Sequence, residues 1–133
     1  MSDRDRWAAA AALGIALLTG LGLSACNNEA RIREQAVEMT GGYPEQGALL
    51  IRKYGCSSCH VIPGIEGARG MIGPPLNGIA ARTYLGGQLP NTPQNMMRWI
   101  RDPQGVERGT AMPNVGVSEP EARHIAAYLY TLR

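Results

Sequence analysis

Two cysteines three positions apart, with a histidine directly after the second, stand in the stretch Tyr54-Gly55-Cys56-Ser57-Ser58-Cys59-His60. A Cys-x-x-Cys at a helix start turns both sulfurs to one side, which suffices for thiol redox chemistry and leaves the next residue free. Zinc needs four ligands; Cys56, Cys59, His60 and the other histidine, His124, just reach that number. Bare zinc sites seldom use adjacent residues, however. The third chemistry is covalent attachment of haem. Each thiol adds to one vinyl group at the porphyrin edge, and the following imidazole swings beneath the ring to ligate iron. The pentapeptide alone can arise by chance, so the rest of the chain has to be read with it.

At 133 residues the chain holds one small domain at most. It has no phenylalanine, 17 glycines and 9 prolines, a composition for short helices, many loops and a modest core. Chains of this size bury only roughly two-thirds of their unfolded surface, so an apolar cofactor can supply missing core. The net charge of +2 has no long basic run behind it, and no nucleic-acid partner is expected.

Residues 1–25 read as an export signal. A short charged start, MSDRDR, leads into an apolar run from Trp7 and then small residues before Cys26. Leu23-Ser24-Ala25-Cys26 also resembles the lipobox of bacterial lipoproteins, in which the cysteine is acylated and becomes the first residue. The rival reading is an uncleaved transmembrane anchor, since the run approaches the ~20 apolar residues of a bilayer span. Both readings place residues 27 onward outside the cytoplasm, on the periplasmic or outer side of a membrane. Without residues 1–25 the net charge is still +2. The three cysteines are then accounted for without a disulfide, Cys26 by lipid and Cys56 with Cys59 by the cofactor. That export context and cysteine count favour haem among the three chemistries.

Residues 26–42 are polar, mixed in charge and end in Gly-Gly; they read as a lipidated N-terminus and tether with room for some helix. The domain proper is assigned to 43–133. Pro44 opens a helix, with Gly47, Leu50, Ile51 and Tyr54 on one face. Residues 61–90 carry PGIEGARG, GPP and LGG and read as loop, with a helical turn near Leu76–Arg82. Thr92 caps a second helix, Pro93 fills its first position and Pro103 stops it. Ser118 and Glu121 form a capping box for a third, striped by Ala122, Ile125, Ala126, Leu129 and Leu132. No segment alternates as a strand would. The expected class is all-α, with three main helices and loops.

Residues 47–133 resemble the class I cytochromes c. CSSCH matches the attachment cysteines and the proximal ligand His60, and GPPLNGIAAR is similar to the family's G-P-x-L-x-G stretch. The resemblance implies that the Pro74 carbonyl accepts the Nδ1–H of His60 and that Arg82 faces a haem propionate. MMRWIRDPQGVERGTAMP resembles the family's run from the distal helix to the methionine ligand. It implies Met112 as sixth ligand, Trp99 in the distal pocket and Thr110 near the inner propionate. Met96 and Met97 are expected to pack against the haem, and His124 to face solvent. LPNTPQNMMRWIRDPQ is especially similar to the cytochrome c domain fused to subunit II of some haem–copper oxidases, whose copper ligands this chain lacks. The first helix has an extra residue, Gly55, and Arg108 stands where a proline is common. The family's propionate-holding tryptophan is absent, leaving Tyr84, Gln88 or Asn91 as donors.

The resemblance implies one covalently attached haem c and a carrier of single electrons rather than an enzyme, with no small-molecule substrate. Donor and acceptor are expected to be redox proteins of a respiratory chain, such as a dehydrogenase or quinol-oxidising complex and a cytochrome oxidase. The alternatives are a permanent haem subunit of a respiratory complex, and a haem enzyme or sensor in which Met112 dissociates.

Overall fold

The computed structural model describes residues 27–133; the assigned leader and Cys26 lie outside them. Residues 27–40 are helical (α1), and from Arg33 the chain belongs to one compact unit that runs to Arg133. Ala36 and Thr40, one helical turn apart, are buried. The Thr40 hydroxyl closes the helix, donating to the Ala36 carbonyl at 2.7 Å and accepting the Gly42 N–H at 3.1 Å. The stretch read as a tether is therefore helical, and its second half is part of the unit. Two small side chains among charged ones make too thin a stripe for the sequence to reveal.

Helix α2, Pro44–Lys53, starts on its proline and buries Pro44, Gly47 and Ile51. After Tyr54, Gly55 takes φ 69°, a left-handed turn that a side chain would strain. It sends the chain into the 3-10 turn Cys56–Ser58. The residue extra to the family pattern is thus the one that ends the helix and delivers both cysteines.

Between residues 61 and 92 the chain is mostly loop, with a 3-10 turn at Ile79–Ala81. Strand β1, Tyr84–Leu85, pairs antiparallel with β2, Leu89–Pro90, Leu85 opposite Leu89. A two-residue ladder is too short for alternation to show, which is why the sequence gives no strand signal there.

Helix α3, Pro93–Arg101, is capped by the Thr92 hydroxyl, which accepts the Asn95 N–H at 3.2 Å. Pro103 ends that helix and also begins another, α4, Pro103–Val106, capped by Asp102. Helix α5, Glu119–Thr131, carries the Ser118–Glu121 capping box. Helices α2 and α5 cross at Gly47. A methyl group there would run into the His124 carbonyl and lie 2.8 Å from Tyr128 Cβ, so only glycine permits the approach. Ile51, Ala122, Ile125 and Ala126 fill the crossing. Among the described residues, no helix is long and apolar enough to cross a membrane.

A polar strut locks the same crossing. Glu121 accepts from Lys53 at 2.8 Å, from the Tyr54 hydroxyl at 2.7 Å and from the Ser118 hydroxyl at 2.5 Å. These donors, Lys53 first, hold the Glu121 carboxyl at about 2, below its ordinary 4.5. The same bonds push Lys53 and Tyr54 up, chiefly through Glu121. A depressed carboxyl contributes stability that is present above its ordinary value and lost as pH falls through the folded one. The melting temperature is therefore expected to fall between pH 4.5 and about 2, and Glu121→Gln to flatten that part of the curve. Thermal unfolding of both proteins through this window is the check; parallel curves would contradict it.

Candidate functional site

One cavity of about 360 Å³ gathers the residues that the sequence singles out: Cys56, Cys59, His60, Pro74, Arg82, Trp99, Thr110 and Met112 all line it. Small-molecule and cofactor sites occupy roughly 300–1,000 Å³. The remaining wall is mainly apolar, including Ile51, Ile62, Leu76, Ile79, Met96 and Leu129. A more open groove of about 830 Å³ runs beside Met97, Arg98, Arg101, Glu119 and Arg123, but it contains no cysteine or histidine. Volume alone points to the wrong place. Met96 lines the cavity while Met97 lines the groove. Successive helical residues point about 100° apart, which here puts the pair on different spaces.

The His60 ring is fixed from two sides. Its Nδ1 lies 2.8 Å from the Pro74 carbonyl oxygen. A carbonyl only accepts, so the proton sits on Nδ1 and the Nε2 lone pair is left for a metal. Gly73 lies against the ring, where a methyl group would come 2.6 Å from Nδ1. The Gly73 N–H donates to the Cys59 carbonyl at 2.8 Å and the Leu76 N–H to that of Val61 at 2.8 Å, which ties the Pro74 loop to the attachment segment. Arg82 braces the loop again, donating to the Pro75 and Asn77 carbonyls while it lines the cavity.

Neither Cys56 nor Cys59 is in a disulfide. Burial pushes the Cys56 thiol up, whereas the attacking cysteine of a redox dithiol is commonly held low. The zinc reading fails on geometry: among the described residues no three His, Cys, Asp or Glu side chains gather into a metal-holding group. His124 does not line the cavity. Nor does it simply face solvent, since its Nδ1 accepts the Tyr43 N–H at 2.9 Å and its ring stacks on Tyr43 with centroids 5.8 Å apart. It anchors the start of α2.

On the other wall Trp99 packs on Gly86, where a methyl group would come 2.5 Å from the indole. The Thr110 hydroxyl accepts the Met112 N–H at 3.5 Å. Of the three substitute propionate donors, Tyr84 lines the cavity and Gln88 does not. Asn91 is fully committed elsewhere. Its amide donates to the Ile79 and Arg82 carbonyls at 2.9 and 2.8 Å and accepts the Tyr130 hydroxyl at 2.8 Å. The sequence offers no hint of Gln104, whose amide bonds to the loop carrying Met112. A lone glutamine in a polar stretch gives no signal.

The model of the cytochrome c family matches residues 44–133. This chain belongs to that family. Its fold is that of the class I cytochromes c, and it carries covalently attached haem c. The cytochrome is 32% identical over 97 residues to cytochrome c oxidase subunit 2 of Alkalihalophilus pseudofirmus, over 72% of this chain and 28% of that one. It is 36% identical over 90 residues to cytochrome c2 of Agrobacterium tumefaciens, over 56% of this chain and 79% of the relative. To cytochrome c-552 of Nitrosomonas europaea it is 28% identical over 103 residues, 71% and 86% of the two chains. It therefore spans only 28% of the oxidase subunit but most of each small cytochrome. No solved structure matches it significantly. The cavity fits haem c chemically: two unbridged thiols, an imidazole with Nε2 left for iron and a thioether line one apolar space.

Proposed function

We propose that this electron-transfer haem protein is a membrane-tethered carrier between respiratory partners, with haem joined to Cys56 and Cys59 and iron held by His60 and Met112. The observation that supports the reading is that these four side chains line a single, mainly apolar cavity. Haem c, when bound, supplies one-electron chemistry between ferric and ferrous iron. The chain's residues do the rest. The Pro74 carbonyl keeps a proton on His60 Nδ1 and makes Nε2 a stronger donor. The Met112 thioether is soft and neutral, favours the ferrous state and raises the potential relative to a second imidazole. With His60 and Met112 both holding the iron, no position on it would be left for a substrate. Arg82 and Thr110 stand on the cavity wall as partners for the propionates, where charge-assisted bonds are the strong ones. Trp99 walls the distal pocket.

In this reading residues 1–25 direct export and Cys26 carries lipid. The anchor confines the search for partners to a surface and raises their effective concentration. A dehydrogenase or quinol-oxidising complex is the donor and a terminal oxidase the acceptor. The similarity to an oxidase subunit favours one second reading, a cytochrome held permanently in such a complex. The test is exposure of the ferrous protein to carbon monoxide. An unchanged spectrum and a one-electron titration are expected; ready uptake would overturn the carrier in favour of an enzyme or sensor. After solubilisation in mild detergent the free carrier migrates alone, whereas the fixed subunit migrates with its oxidase.

A further inference from the structure

Between Val106 and Met112 the chain has neither regular structure nor proline, so its shape has to be imposed from outside. Gln104 reaches across it. Its Nε2 donates to the Thr110 carbonyl at 2.7 Å and to the Met112 carbonyl at 3.1 Å, and its Oε1 accepts the Gly109 N–H at 3.1 Å. The opposite amide orientation would set Oε1 against two carbonyl oxygens, so the hydrogen-bond partners dictate this one. Gln104 is itself held. Pro103 beside it is fully buried, and Asp102 Oδ1 accepts the Gly105 N–H at 3.0 Å. Helix α4 is thus a bracket between the core and the loop. The loop's own bonds are fewer, Thr110 N–H to the Glu107 carbonyl at 3.2 Å and Met112 N–H to the Thr110 hydroxyl at 3.5 Å. The second lies at the edge of hydrogen bonding.

We propose that Gln104 is the positioning residue of the sixth ligand: its three bonds hold the loop that keeps the Met112 sulfur at the iron. The proposal rests on the reading of Met112 as ligand. A tethered ligand competes with an outside one through its effective concentration, which rises as the tether is ordered. Gln104 therefore sets how readily the sulfur is displaced. Each lost hydrogen bond shifts that balance roughly fivefold.

Gln104→Met keeps the side-chain length and removes all three bonds. Gln104→Glu keeps an acceptor for Gly109 but turns an oxygen toward two carbonyls. Imidazole binding to the ferric holoprotein, followed by loss of the sulfur-to-iron charge-transfer band, is expected to tighten roughly hundredfold in Gln104→Met, which loses three bonds, and roughly twenty-five-fold in Gln104→Glu, which loses two. Met112→Ala is measured beside them. If it keeps that band, the ligand reading has failed. If it loses the band while both Gln104 variants bind imidazole as the wild type does, the positioning role alone is overturned, whatever their melting temperatures. Should neither variant fold, hydrogen exchange in the wild-type holoprotein decides. The Gly109 amide, bonded to Gln104, is expected to exchange several-fold more slowly than that of Arg108 beside it; equal rates overturn the proposal.

Discussion

Met112→Ala is expected to lower the reduction potential by on the order of 0.1 V or more, within the roughly 0.8 V that axial ligands span. The variant should also take up carbon monoxide. A thioether is soft and stabilises ferrous iron; the water that can replace it is hard and does not. Loss of the fold is not a competing explanation. The hydrogen bonds of Met112 run through its main chain, from the carbonyl to Gln104 and from the N–H to Thr110, and alanine keeps both. Potentiometric titration of wild type and variant is the check. An unchanged potential would mean that some other group completes the iron's coordination.

The second large effect is on stability. Gly47→Ala adds one methyl group at the α2–α5 crossing, against the His124 carbonyl and 2.8 Å from Tyr128 Cβ. Backbone cannot rotate away as the end of a side chain can, so the helices must separate. Overpacking of this kind costs about 3 kcal/mol or more, a large share of a small domain's stability. Gly55→Ala is the control. It has φ 69° but nothing within 4 Å, so its cost is the left-handed conformation alone, about 1–2 kcal/mol. Urea unfolding of both variants should rank Gly47→Ala well below Gly55→Ala, and the reverse order would contradict the crossing geometry.

What could be read from sequence was local. Pro44, the Thr92–Pro93 pair and the Ser118–Glu121 box mark helix starts because a helix end satisfies its orphan donors with residues a few positions away. Cys56, Cys59 and His60 are legible for a similar reason, since the proposed attachment joins two thiols to one porphyrin edge and the next imidazole to its iron, which sets all three close together in the chain. The parts not legible depend on residues far apart. The segment 27–40 looks like solvated tether until Ala36 and Thr40 are seen to be buried. Asn91 looks like a loop residue with a spare amide, yet it is spent on Ile79, Arg82 and Tyr130. Gln104 stands in a stretch read as a helix stop, and the carbonyls it bonds lie six and eight residues away. Met97 lines a different space from Met96 because helical phase separates the two although sequence does not.

The most direct measurement is the mass of the purified, fully unfolded protein, taken with alkylation of its thiols. The account predicts the mature polypeptide with its lipid and one haem, with neither Cys56 nor Cys59 open to the reagent. Haem that departs on unfolding, or an alkyl group on either of these cysteines, would contradict it.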